Sequence, residues 1–235
     1  MELAIEINSA KDLDILKDQP VDQIEKLELF FFTSISLKFI EKIKNLQHLS
    51  IAGTVKDLSP LAHCKSLRLL SLSNRGAVNT LDFVQGLELE SLRLEGFTSK
   101  CENLIIPHLR SLRNLEISSV SKMGDLSFLR DFSGLERIAL FELNSKKLFD
   151  FGKLDQLGEL RLTNMFQLND LADLKTIPKL NTLYIHDFFI NKKINVDRKN
   201  ELLKIVTDLK QINEIVLTIN GENYRGPELL AELKK

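Results

Sequence analysis

A three-slot apolar pattern, apolar-x-x-apolar-x-apolar, returns at a nearly fixed interval along most of this 235-residue chain. It occupies Ile24/Leu27/Leu29, Leu46/Leu49/Ile51, Leu67/Leu70/Leu72 and Leu89/Leu92/Leu94. It continues at Leu112/Leu115/Ile117, Leu135/Ile138/Leu140, Leu157/Leu160/Leu162 and Leu180/Leu183/Ile185, and a last copy is Ile212/Ile215/Leu217. The intervals between starts are 22, 21, 22, 23, 23, 22, 23 and 32. Ile5 and Ile7 stand 22 residues before Leu27 and Leu29 and add an end copy whose first slot is Glu2, which makes about ten repeats. No chain folds around such a period except by stacking. Each unit is too short to bury its own apolar face, and only a pile of units closes a continuous core.

The last two slots of each unit alternate with polar residues, as in a strand with one buried face. Strands returning at a fixed period, each after a crossover on the same side, make a parallel sheet. The rest of each unit carries an apolar pair spaced by three: Leu37/Ile40, Leu58/Leu61, Leu81/Val84, Leu126/Leu129, Leu148/Phe151 and Leu171/Leu174. That spacing puts both residues on one face of a helical turn, and the short segments predict one to three turns, partly 3₁₀. Ser59-Pro60 reads as a capping hydroxyl followed by a first-turn proline, and Asp125, Asn169 and Asp170 as further caps.

The phrase LQHLSIAGTVKDLSPLA resembles a leucine-rich repeat, and its length and D-L-S-P-L segment are similar to the internalin-like and phosphatase-regulator-like classes. The resemblance spans about residues 2–220. It implies an α/β fold: a right-handed solenoid with a parallel sheet on the concave face and short α or 3₁₀ helices on the convex face. It also implies binding of protein partners through the concave face. Three departures stand out. The ninth slot, usually asparagine, holds Phe32, Thr54, Arg75, Phe97, Val120, Leu143, Met165 and Phe188, so apolar packing replaces the asparagine ladder and less regular turns are expected. The unit 89–111 has Leu104-Ile105-Ile106-Pro107 where the outer pair belongs, which predicts an irregular turn. No secretion signal or wall anchor accompanies the repeats, so the surface role of internalins is not carried over.

The whole chain, 1–235, reads as one domain with capped ends. An amphipathic helix from Ser9, with Leu13 and Leu16 inward, caps the front within 1–23. The widened interval holds VDRKNELLKIVTDLKQ, whose Val196, Leu202, Leu203, Val206 and Leu209 follow a helical rhythm. With Gly226-Pro227 and a last short helix it forms a helical cap over 192–235. The N-terminal MELAIEINSAKDLD lacks a basic region and an apolar core, and no stretch approaches the about 20 residues that span a bilayer. With two cysteines, Cys64 and Cys101, read as small core residues, the expectation is a reduced, cytoplasmic protein. A formal charge of −1 argues against nucleic-acid binding.

Catalytic signatures are missing from the sequence: no phosphate-binding glycine loop, no H-E-x-x-H, no G-x-S-x-G. His186-Asp187 is the one acid–histidine neighbourhood, and adjacent strand residues point to opposite faces. An enzyme centred on Tyr184, His186 and Asp187 is the weakest of the readings, and no cofactor or metal is expected.

Residues between the apolar slots face outward and form ladders across the sheet. The early part, around Ser50, Ala52, Ser71 and Ser73, is small and neutral. The later part is dense in Arg93, Glu95, Glu116, Arg137, Phe141, Glu159, Arg161, Tyr184 and His186, which are the candidate partner-binding residues. Arginine and tyrosine are enriched among interface hot spots. The competing reading is that the Arg and Glu residues pair across strands and merely solvate the face. Phe30-Phe31-Phe32 predicts Phe31 inward and Phe30 outward at a packed front end. The function expected is a non-enzymatic, monomeric scaffold holding one protein partner, acting as an inhibitor or as an immunity protein against a toxin. The rivals are a self-associating structural module and a regulatory subunit of an enzyme such as a phosphatase.

Overall fold

The computed structural model describes residues 1–34, 36–74, 80–97, 106–120, 123–165, 167–168, 170–187, 204, 209, 212–219 and 222–225. Its strands are β1 (Glu2–Ile7), β2 (Lys26–Phe31), β3 (His48–Gly53), β4 (Leu69–Asn74), β5 (Ser91–Glu95), β6 (Asn114–Ser118), β7 (Arg137–Phe141), β8 (Glu159–Thr163), β9 (Thr182–Asp187), β10 (Glu214–Ile219) and β11 (Glu222–Arg225). The contacts group the chain into two compact units. The first is Met1–Leu112 with Ile117–Lys122, and the second is Arg113–Glu116 with Met123–Lys235.

In the first unit β1 to β5 pair in chain order, all parallel; β2 to β5 keep the register of the repeat, whereas β1 is shifted by two residues, so that Ile5 and Ile7 pair with Leu29 and Phe31 and not with Leu27 and Leu29 as the spacing of 22 suggested. Leu27, Leu49, Leu70 and Leu92 thus stack in one inward column, and Leu29, Ile51, Leu72 and Leu94 in a second, all buried. Full burial of each such side chain contributes about 1.5–3 kcal/mol. In the second unit β7, β8, β9 and β10 pair the same way, with Ile138, Leu160, Leu183 and Ile215 in register. β11 then folds back antiparallel on β10. Sequence reasoning missed β11, because ENYR shows no apolar alternation.

The predicted outer pairs are buried, and five of the six flank 3₁₀ turns: Lys38–Lys42, Ser59–His63, Asp82–Val84, Ser127–Asp131 and Ala172–Thr176. The pair Leu148/Phe151 is buried without a helical turn, and its Phe151 amide donates to Thr176 Oγ1 at 2.8 Å. Further buried residues three before a strand unit are Ile43, Cys64 and Leu109 in the first compact unit and Phe132, Leu154 and Ile177 in the second; of these only Cys64 was read as a core residue. Burial pushes the Cys64 thiol up to about 11, which makes it a core filler rather than a nucleophile. Cys101 lies outside the described residues, as do Asn169, Arg75, Phe188, Leu104 and Ile105.

One cap differs from the reading, with Asp57 in place of Ser59, and the caps read at Asp125 and Asp170 are present. Asp57 Oδ1, not the Ser59 hydroxyl, accepts the first free amide, from Ser59 N at 2.9 Å. Asp125 Oδ1 does the same for Ser127 N at 2.9 Å and Asp170 Oδ1 for Ala172 N at 3.0 Å. These are Asx turns: a short carboxylate reaches the amide two residues on without helical geometry.

Apolar packing does replace the asparagine ladder at Phe97, Val120, Leu143 and Met165, all buried. Successive coils are tied instead by the backbone. The carbonyls of Glu25, Gln47 and Arg68 each accept two amides from the next coil in the first unit, and those of Glu136, Gly158 and Asn181 do so in the second. The residue before slot nine is left-handed at Gly53, Gly96, Ser119, Glu142 and Asn164. At Gly96, Ser119, Glu142 and Asn164 it turns the chain out of the strand with slot nine buried. The first coils break the pattern: Phe31 is the inward residue of β2, so Phe32 is 71% exposed and Phe30 39% exposed. In the next coil Thr54 is exposed and Val55 is buried.

At the front the predicted helix is a 3₁₀ segment, Ala10–Asp18, whose start is fixed by Asp12 Oδ2 accepting the amides of Asn8 and Ser9 at 2.8 and 2.7 Å. Leu16 is buried and Leu13 half-buried. Of the helical cap predicted over 192–235, only Lys204, Leu209, residues 212–219 and residues 222–225 lie among the described residues.

Candidate functional site

The nine candidate residues divide between the units. Arg93 and Glu95 belong to β5 in the first, where Arg93 Nη2 donates to Glu95 Oε2 at 3.4 Å. Glu116, Arg137, Phe141, Glu159, Arg161, Tyr184 and His186 belong to the second. Strand alternation places them there: Ile138 and Leu140, Leu160 and Leu162, and Leu183 and Ile185 point into the core, so the intervening side chains share the other face.

Register then decides which of them meet. Arg137 stands opposite Glu159, and Arg161 stands opposite Tyr184. Glu159 is the hub. Its Oε2 forms an ion pair with Arg137 Nε at 3.2 Å, and its Oε1 accepts from Arg161 Nε at 2.5 Å. The Glu159 side chain is only 17% exposed, whereas those of Arg137 and Arg161 are 67% and 48% exposed. The Arg161 guanidinium also lies over the Tyr184 ring, 4.4 Å from its centroid, where the ring quadrupole attracts it. Desolvation first, and then a hydrogen bond from the phenol to the Glu214 carboxylate, hold the Tyr184 hydroxyl above its ordinary value. Tyr184 therefore stays neutral at physiological pH, as a donor. Glu214 completes the cluster and was not among the candidates; the signal for it was its diagonal position on β10, next to Tyr184.

Pairing across strands occurs at Arg137–Glu159, while Arg161 pairs with Glu159 within β8. The arginines use only their Nε atoms for this and keep their outer edges in solvent. Phe141 is half-buried opposite Thr163, and His186 is half-buried between Thr163 and Thr218 in the sheet, so neither is an exposed anchor. The exposed aromatics are Phe30 and Phe32 in the first unit, which corrects the expectation of a packed front end. Val216 and Thr218 of β10 occupy outward slots yet are buried. Among the described residues, no group of three His, Cys, Asp or Glu side chains is arranged to hold a metal ion. No helix among them is long and apolar enough to cross a membrane.

No family model matches the sequence, and no curated protein does either. Solved structures do match. Internalin C2 of Listeria monocytogenes is 19% identical with a TM-score of 0.53, over 84% of this chain and 82% of that one. An internalin (inlF) of Listeria monocytogenes is 19% identical with a TM-score of 0.58, over 89% of this chain and 67% of that one. With the parallel strands, the 3₁₀ turns and the 22-residue period, these likenesses show that the chain has the leucine-rich-repeat fold.

Proposed function

We propose that this chain is a non-enzymatic binding scaffold that holds a protein partner on the exposed sheet face of β7 to β9. The observation that carries the reading is the Arg137–Glu159–Arg161–Tyr184 cluster, whose arginines are fixed by a half-buried carboxylate and an aromatic ring yet remain exposed. Arginine and tyrosine bury large areas and keep directional hydrogen bonds at interfaces. A face already held rigid by a packed sheet gives up little conformational freedom when a partner docks. In the finer form of the reading the protein is a cytoplasmic monomer that inhibits its partner, as an immunity protein masks a toxin.

The test is capture from the native lysate by the wild type and by an Arg137→Glu/Arg161→Glu variant with unchanged thermal unfolding. One stoichiometric protein, held by the wild type and lost by the variant, is the expected result. Equal capture by both would remove the binding site from this face.

A second reading is self-association through the first unit, favoured by Phe30 and Phe32, two large apolar side chains exposed next to each other. Sedimentation of wild type and Phe32→Ser over a wide concentration range decides it. A dimer that Phe32→Ser dissolves would establish this reading, and a monomer throughout would end it.

A further inference from the structure

Building on the partner-binding reading above, we infer that the β7–β8 face recognises a carboxylate of its partner: an aspartate or glutamate side chain seated on the outer edges of Arg137 and Arg161. The argument begins with Glu159. Both of its oxygens are taken, and both by Nε atoms. Each guanidinium therefore keeps its Nη hydrogens for another acceptor. Among the described residues neither arginine has a second carboxylate. Two guanidiniums pair with one carboxylate, the least exposed of the three, and Glu214 forms no ion pair with either of them. A partner thus meets cationic edges, not the acid beneath them.

The arrangement is also stiff. Arg161 is held by Glu159 on one side and by the Tyr184 ring on the other, so its planar fork is placed before a ligand arrives. A carboxylate accepts bidentate donation from arginine and adds a single negative charge. A phosphate dianion would add two beside Glu159 and Glu214. Tyr184 is turned away from this role, because its phenol already donates to Glu214. Glu159 is a positioning residue, and the arginines make the contact.

The experiment is a random-peptide display selection on the immobilised full chain, followed by binding of a selected synthetic peptide. The expected peptides are enriched in Asp and Glu. Their affinity should fall about tenfold or more in an Arg137→Gln/Arg161→Gln variant, or when their acids become amides, as loss of a charge-assisted pair requires. Peptides without acidic residues that lose affinity in Tyr184→Ala, yet bind the double glutamine variant as well as wild type, would overturn the carboxylate inference and leave the partner-binding face standing. Displacement by inorganic phosphate at far lower concentration than by acetate would assign the edges to phosphate instead, against the inference. Selected peptides indifferent to every substitution on this face would overturn the inference and the partner-binding reading together. Both variants alter exposed or half-exposed side chains, and unchanged thermal unfolding confirms that each is folded.

Discussion

Gly53 and Gly96 hold the same place in their coils, and their surroundings separate two costs. A Cβ on Gly53 would lie 2.2 Å from the Phe31 carbonyl oxygen and 2.8 Å from the Phe31 Cβ, at a φ of +121°. A Cβ on Gly96, at a φ of +72°, meets nothing within 4 Å. Gly96→Ala should therefore cost about 1–2 kcal/mol, the left-handed penalty alone. Gly53→Ala should cost more than about 3 kcal/mol, because the clash is with backbone. Urea unfolding of the two variants measures the difference, and equal losses would refute the assignment. The same position is left-handed with a side chain at Ser119, Glu142 and Asn164, so the turn is imposed by the coil and not by glycine. That is why it was not legible in the sequence: a mixed column of Gly, Ser, Glu and Asn has no common chemistry. In the Phe30-Phe31-Phe32 run the inward residue, Phe31, was legible from strand alternation, but the exposure of Phe30 and Phe32 was not.

At the scale of elements, the period was legible because every inward slot is filled by a large aliphatic residue at constant spacing, and the register preserves it. The turn starts were legible at Asp125 and Asp170, and two residues out at Ser59, where Asp57 is the acceptor. Asp57 and Asp125 each serve the amide two positions on, and the serines there return a hydrogen bond to the carboxylate. At Asp57 the Ser59 hydroxyl and then its amide hold the carboxyl below its ordinary value; at Asp125 the Ser127 amide and then its hydroxyl do so. A carboxyl depressed in the folded state stabilises the fold above the unfolded pKa of about 3.9. That stability is lost as pH falls through the lower folded values. An Asp57→Asn/Asp125→Asn variant keeps the turns without the titration. Its urea midpoint should fall less than that of wild type as pH drops from about 4 to about 2. Parallel pH profiles would contradict the role given to these carboxylates.

For the molecule as a whole, the sequence led to the fold but only partly to the site. Arg137, Glu159, Arg161 and Tyr184 were legible as a group because a constant register turns sequence columns into spatial ladders. Their division of labour was not, since which charge lies buried as the hub depends on rotamers that no spacing encodes. Phe141 and His186 were over-read for the same reason: an outward slot does not guarantee exposure, as buried Val216 and Thr218 also demonstrate. The central claim is that a protein partner sits on the β7–β9 face. Site-specific photo-crosslinking in the native lysate tests it most directly, with a benzoylphenylalanine placed at Tyr184 in one variant and at exposed Lys153, away from the strands, in another. The account predicts one discrete crosslinked partner from position 184 and none from position 153. A partner crosslinked from position 153 alone, or equally from both, would contradict it.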